Sequence, residues 1–101
     1  MTEINSILDE RGKRYGSFVG HAQITQGIKY ILSGTIGCGE GAVNASRNWA
    51  AMKHDQREAL EMIAHKLGRI VNGDPNYEDS WRDIAGYATL VADRLLGEAK
   101  T

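Results

Sequence analysis

Apolar residues recur along this chain at intervals of three and four, and strand-like alternation rich in Val, Ile and Thr is hard to find. That spacing predicts amphipathic helices throughout. The first covers about Glu3 to Arg14, with Ile4, Ile7, Leu8 and Tyr15 on one face and Thr2 placed as N-cap. Gly16 ends it and Ser17 is placed to cap a second, from about Phe18 to Leu32, whose stripe is Ile24, Ile28, Ile31 and Leu32 with His21 at the edge. Four glycines then fall between Gly34 and Gly41, which leaves the backbone too free for a helix and predicts a connector. The run lacks the Gly-Lys-Ser/Thr ending of a phosphate-cradling loop. A short third helix, about Ala42 to Met52, presents Trp49 and Met52.

The clearest patterning lies in the C-terminal half. A fourth helix, about Gln56 to Asn72, carries Leu60, Ile63, Ala64, Leu67 and Val71 on one stripe. Gly73 is placed to end it and Pro75 prevents continuation. A fifth, about Tyr77 to Glu98, carries Trp81, Ile84, Ala88, Val91 and Leu95. So short a connection predicts antiparallel neighbours. The expectation is an all-α, single-domain small helical bundle of four to five helices over residues 1–101. Its C-terminal part is an antiparallel helical hairpin burying Leu60, Ile63, Leu67, Ile84, Ala88 and Val91.

Composition narrows the function classes. A net charge of −1 argues against broad nucleic-acid binding, which needs an excess of Lys and Arg. Cys38 is alone, which excludes an intramolecular disulfide and a cysteine zinc cluster and fits a reducing compartment. No signal-like segment opens the chain and no apolar run approaches the ~20 residues of a membrane span. The expectation is a cytoplasmic protein with no membrane partner.

The candidate chemistry lies on the fourth and fifth helices. Glu58, Glu61, His65, Lys66 and Arg69 sit on the former, and Asp79, Asp83 and Tyr87 on the latter. Four carboxylates on two adjoining helices suit a hard cation such as Mg2+, which takes oxygen ligands. Two of the four have simpler explanations. Asp55 as N-cap makes Glu58 a capping-box residue, and Asn76 as N-cap does the same for Asp79. Glu61 and Asp83 lie beyond the first turn, and Asp is a poor interior helix residue. For Asp83 the simpler explanation is an interhelical ion pair with Lys66 or Arg69. His65 reads as a surface histidine, and His54, eleven residues away, gives no zinc-ligand spacing. Gly68 and Gly86 interrupt good helices and predict close approach by a partner helix or ligand. Leu90, off the main stripe, predicts a subunit interface.

Two resemblances follow from these strings. Glu58-Ala-Leu-Glu61, with acids on the next helix, resembles the Glu-x-x-Glu … Glu-x-x-Asp signature of the all-α nucleotide pyrophosphohydrolases, the MazG-like and dimeric dUTPase-like group. Ser80 stands where that spacing calls for the third Glu. The strings Lys66-x-x-Arg69 … Asp79-x-x-x-Asp83-x-x-x-Tyr87 and Arg11-Gly12-Lys13-Arg14-Tyr15-Gly16-Ser17-Phe18 look like small phage-associated domains of unknown function, including those linked to nucleotide modification. The resemblances imply a homo-oligomeric, phage-type protein that handles a nucleotide or nucleotide-derived ligand in a host cytoplasm. In the enzymatic version Glu58, Glu61, Asp79 and Asp83 hold Mg2+, with Glu61 and Asp83 catalytic, and water attacks a phosphoanhydride. In the rival version, without catalysis, the basic residues Arg11, Lys13, Arg14, Lys66 and Arg69 matter more than the acids, and Arg11, Arg14, Lys66, Arg69 and Tyr87 are the ligand-binding candidates. The protein then sequesters a signalling nucleotide to blunt host defence, or docks on a host protein.

Overall fold

The computed structural model of the chain describes residues 2–34 and 40–100, with side chains at 4–34 and 44–98. Cys38 and the glycine-rich stretch from 35 to 39 lie outside the described residues. Five α-helices make up the rest: α1 (Thr2–Tyr15), α2 (Phe18–Ser33), α3 (Glu40–Ala51), α4 (His54–Asn72) and α5 (Glu78–Lys100). No strand occurs among the described residues. No helix is long and apolar enough to cross a membrane.

Helix starts differ from expectation at α1, which begins at Thr2 instead of being capped by it, at α3, which begins at Glu40 rather than about Ala42, and at α4 and α5. The Lys53 backbone N–H donates to Gln56 Oε1 (2.9 Å), so α4 begins at His54 rather than at Gln56. Asp55 therefore lies inside the first turn instead of capping it, and its carboxylate pairs with Arg94 of α5. Asn76 does not cap α5 either. Its N–H donates to Asp74 Oδ1 (2.9 Å) in the preceding turn, and α5 starts at Glu78.

α4 is the organising helix, packed against α5, α2 and α1, while α3 rests on α2. At 3.6 residues per turn its buried positions fall on two flanks. Ala59, Lys66 and Ile70 face α5, and Ala64 and Gly68 face α2. The apolar stripe Leu60–Ile63–Leu67–Val71 points between the flanks. Its C-terminal part stays open, with Leu67 37% and Val71 71% exposed. Expected burial therefore fails at Leu67 and at Ala88, while Leu60, Ile63, Ile84 and Val91 are half-buried. On α5 the face turned inward is Ser80, Ile84, Tyr87, Val91 and Arg94, about a quarter turn from the Trp81–Ala88–Leu95 stripe. On α1, Ile4, Ile7 and Leu8 are all more than half exposed.

A sharp corner joins α1 to α2 and is fastened to the end of α4. Asn72 Nδ2 donates to the Tyr15 carbonyl (2.9 Å) and the Ser17 carbonyl (2.8 Å). The Asp74 N–H donates to the Arg14 carbonyl (2.6 Å). Gly16 turns the corner at φ 76°, in the left-handed region, and a Cβ there would lie 2.0 Å from the Asn72 carbonyl oxygen. Ser17 then caps α2, its Oγ accepting from the Gly20 N–H (3.1 Å), as the sequence predicts. The molecule is open for its size. Its radius of gyration is 16.5 Å, against about 13 Å for a compact domain of 100 residues.

Candidate functional site

Two of the four buried polar residues among those described, His21 and Thr25, sit where α2 meets α4. Both belong to α2 and each is 5% exposed. They close on Gly68, where a Cβ would come within 2.6 Å of Thr25 Oγ1 and 2.9 Å of His21 Nδ1. Gly68 thus fulfils the expected close approach, with α2 as the neighbour. One turn earlier on α4, His65 sets its Nδ1 3.2 Å from His21 Nε2, with Thr25 Oγ1 3.4 Å from the same His21 nitrogen. The rings meet edge to face, centroids 4.5 Å apart. His65 is therefore not a surface histidine.

One nitrogen of this His–His contact must donate and the other accept, so the geometry suits two neutral rings. The surroundings enforce that state. Burial, then the positive fields of His21, Arg69, Lys66 and Lys29, lowers the His65 pKa to about 4. Burial first, then Arg69, lowers His21 as well. His21 Nδ1 faces the Gly68 backbone without the geometry of a full hydrogen bond. Of the three lysine and arginine cations around the two imidazoles, Lys66 is neutralised by Asp83, which among the described residues leaves Arg69 and Lys29 as the uncompensated positive charges of this region.

Beside it, at the α1–α2 corner, a cleft of about 460 Å³ is lined by Leu8, Arg11, Gly12, Ser17, Phe18 and His21. That volume lies within the range of small-molecule sites, about 300–1,000 Å³. Among the described residues no carboxylate lines it. The Arg69 guanidinium lies over the Tyr15 ring at 4.3 Å from its centroid, and Arg11 approaches the same ring at 5.8 Å. Among the described residues neither arginine has a carboxylate within ion-pair distance. Phe18 is 80% exposed at the rim.

The other residues singled out in the sequence are placed elsewhere. Arg14 is occupied, paired with Glu10 at 2.7 Å and lying over the Tyr77 ring at 4.7 Å. Lys66, 8% exposed, forms the interhelical ion pair with Asp83 at 3.0 Å, which accounts for that interior aspartate. Asp79 accepts a hydrogen bond from the Tyr77 hydroxyl (3.0 Å). Glu58 is exposed and Glu61 half-buried. Tyr87 lines a separate hollow on α5 with Arg82, Asp83, Gly86 and Leu90. Among the described residues no three His, Cys, Asp or Glu side chains gather as a metal site would require. Arg11 and Arg69 are brought together by Tyr15, and Lys66 is brought to Asp83. The His21–His65 pair escaped the sequence reading. Its one signal was Gly68, whose missing side chain marks where α2 comes close.

No curated protein and no solved structure matches this chain. Residues 1–95 match the family described as Domain of unknown function (DUF6378). With nearly its whole length inside that match, the chain belongs to the DUF6378 family.

Proposed function

We propose that this protein is a phage-type binder of a phosphorylated, nucleotide-derived ligand, seated in the α1–α2 corner cleft. The carrying observation is that Arg11 and Arg69 converge on Tyr15 beside a cleft that no carboxylate of the described residues lines, over a buried histidine pair already surrounded by cations. A phosphate there neutralises charge that the fold leaves uncompensated. Phe18 and Tyr15 offer aromatic surface for a base. The MazG-like resemblance supports the same ligand class. Binding rather than hydrolysis is the reading favoured here, because Asp83 is engaged by Lys66 and Asp79 by Tyr77.

Thermal melting against inorganic phosphate and a panel of nucleotides, with and without Mg2+, tests this. A ligand at a hundred times its Kd contributes about 2.7 kcal/mol, which for a domain this small is roughly 10–20 °C. Arg11→Ala and Arg69→Ala should each erase the shift, and Glu61→Gln should leave it intact. A shift that requires Mg2+ and vanishes in Glu61→Gln, with turnover, would replace binding by the hydrolytic reading. No shift with any phosphorylated ligand would end both.

A further inference from the structure

The apolar faces of α4 and α5 turn toward one uncovered valley. On α4 it is the Leu60–Ile63–Leu67–Val71 stripe, pointing between the flanks that meet α2 and α5. On α5 it is Trp81, Ala88 and Leu95, of which Trp81 is 54% and Leu95 44% exposed. At one end the valley deepens into a hollow of about 250 Å³, lined by Met52, Ala59, Leu60, Ile63, Ala88 and Val91 with Gln56. No charged side chain lines that hollow. Patterned faces of this kind are ordinarily buried; among the described residues Met52 reaches the Leu60–Ile63 end, while Leu67, Val71, Trp81 and Leu95 stay exposed.

The exposed area indicates what covers them. A folded monomer of 11.1 kDa exposes about 5,700 Å² by the usual scaling of surface with mass. This chain exposes 7220 Å², more by roughly 1,500 Å², an excess shared between this valley and the outer faces of α1 and α2, where a standard interface needs about 800 Å² per partner. We propose that the valley is covered by the same valley of a second copy, giving a two-fold dimer in which two α4–α5 pairs stack face to face. A self-complementary patch must tolerate meeting itself. An apolar surface does so without like-charge contacts, and a net charge of −1 per copy adds little repulsion. The other outward side of α5 carries Arg82, Asp83, Leu90 and Asp93, charged groups whose burial in an interface would cost desolvation. The interface therefore runs through Ala88 rather than through Leu90. This inference is independent of the ligand cleft.

Sedimentation equilibrium from 1 to 100 µM, with melting at the same concentrations, is the test. The expected mass is twice 11.1 kDa, and the melting temperature should rise with concentration because folding and association are linked. Ala88→Arg changes a residue exposed in the protomer, and should give either a folded 11.1 kDa species or, if the dimer is obligate, an unfolded chain by far-UV circular dichroism. Leu90→Arg should stay a folded dimer. A wild-type monomer at 100 µM, or a melting temperature independent of concentration, overturns the proposal. So does dissociation by Leu90→Arg while Ala88→Arg remains dimeric.

Discussion

Acidification from pH 8 to pH 5 should remove about 1–2 kcal/mol of folding stability through His65 alone, the upper figure being the full conversion of its lowered pKa before solvent screening of this partly exposed ring. The folded protein holds this imidazole at about 4, below its ordinary 6.5, chiefly by burial and then by His21, Arg69, Lys66 and Lys29. The unfolded chain takes up its proton near pH 6.5, and the folded chain only near pH 4. Stability is fully present above about pH 7 and falls as the unfolded state binds the extra proton. It levels off below pH 4, after a total loss of up to about 3 kcal/mol at about 1.4 kcal/mol per pH unit. His21, also lowered, adds to the loss in the same direction. The assay is chemical denaturation at pH 8, 7, 6 and 5, at fixed protein concentration and without phosphate. His65→Gln keeps a polar group opposite His21 but cannot titrate, so its stability should fall by about 1–2 kcal/mol less than wild type over the same range. Equal pH slopes in the two proteins would refute the reasoning, as would a wild type that gains stability on acidification.

Two glycines one helix apart should respond oppositely to alanine. Gly68→Ala places a Cβ within 3 Å of Thr25 and His21 and should lower stability by about 1–3 kcal/mol, whereas Gly86→Ala meets nothing within 4 Å and should raise it by up to about 1 kcal/mol; urea midpoints compare them. Asn72→Ala removes both hydrogen bonds to the α1–α2 corner and should cost about 2 kcal/mol, with amide exchange accelerating in α1 before α5. Asp83→Ala strands the buried Lys66 ammonium and should cost about 3–5 kcal/mol, whereas Lys66→Met should be near neutral because Asp83 is half in water; equal losses in denaturant would contradict that assignment.

Local rules carried much of this fold. Periodicity placed five helices, and Ser17, Gly16 and Gly73 marked their ends, because caps and stops depend on residues within one turn. The Lys66–Asp83 pair was also legible, since an interior aspartate needs a cation and few were in reach. Burial was less legible. The Leu67 and Val71 stripe reads as core because apolarity records that a face is covered somewhere, and the covering surface need not belong to the same protomer. The cleft was partly visible, in Arg11 and Arg69. What joins them is Tyr15, 54 positions from Arg69 in the chain, and no local spacing encodes that approach. The His21–His65 contact stayed hidden for the same reason, its two histidines lying on helices separated by all of α3.

The fastening of the α1–α2 corner to Asn72 has a consequence for the order of events during synthesis. Apart from the packing of α3 on α2, the contacts that fasten the first 33 residues lie C-terminal to residue 53: Gly68 for His21 and Thr25, Asn72 for Tyr15 and Ser17, Asp74 for Arg14. At about 5–20 residues per second, the ribosome completes Asn72 roughly 2–8 s after Ser33. Throughout that interval Tyr15, Ser17, His21 and Thr25 lack the α4 groups they meet in the finished fold, and a helix of α1's length is marginal by itself in water. The N-terminal third is therefore translated first but structured late. Chains stalled before α4 is made should be the species that chaperones capture, and chains stalled after Asp74 should not.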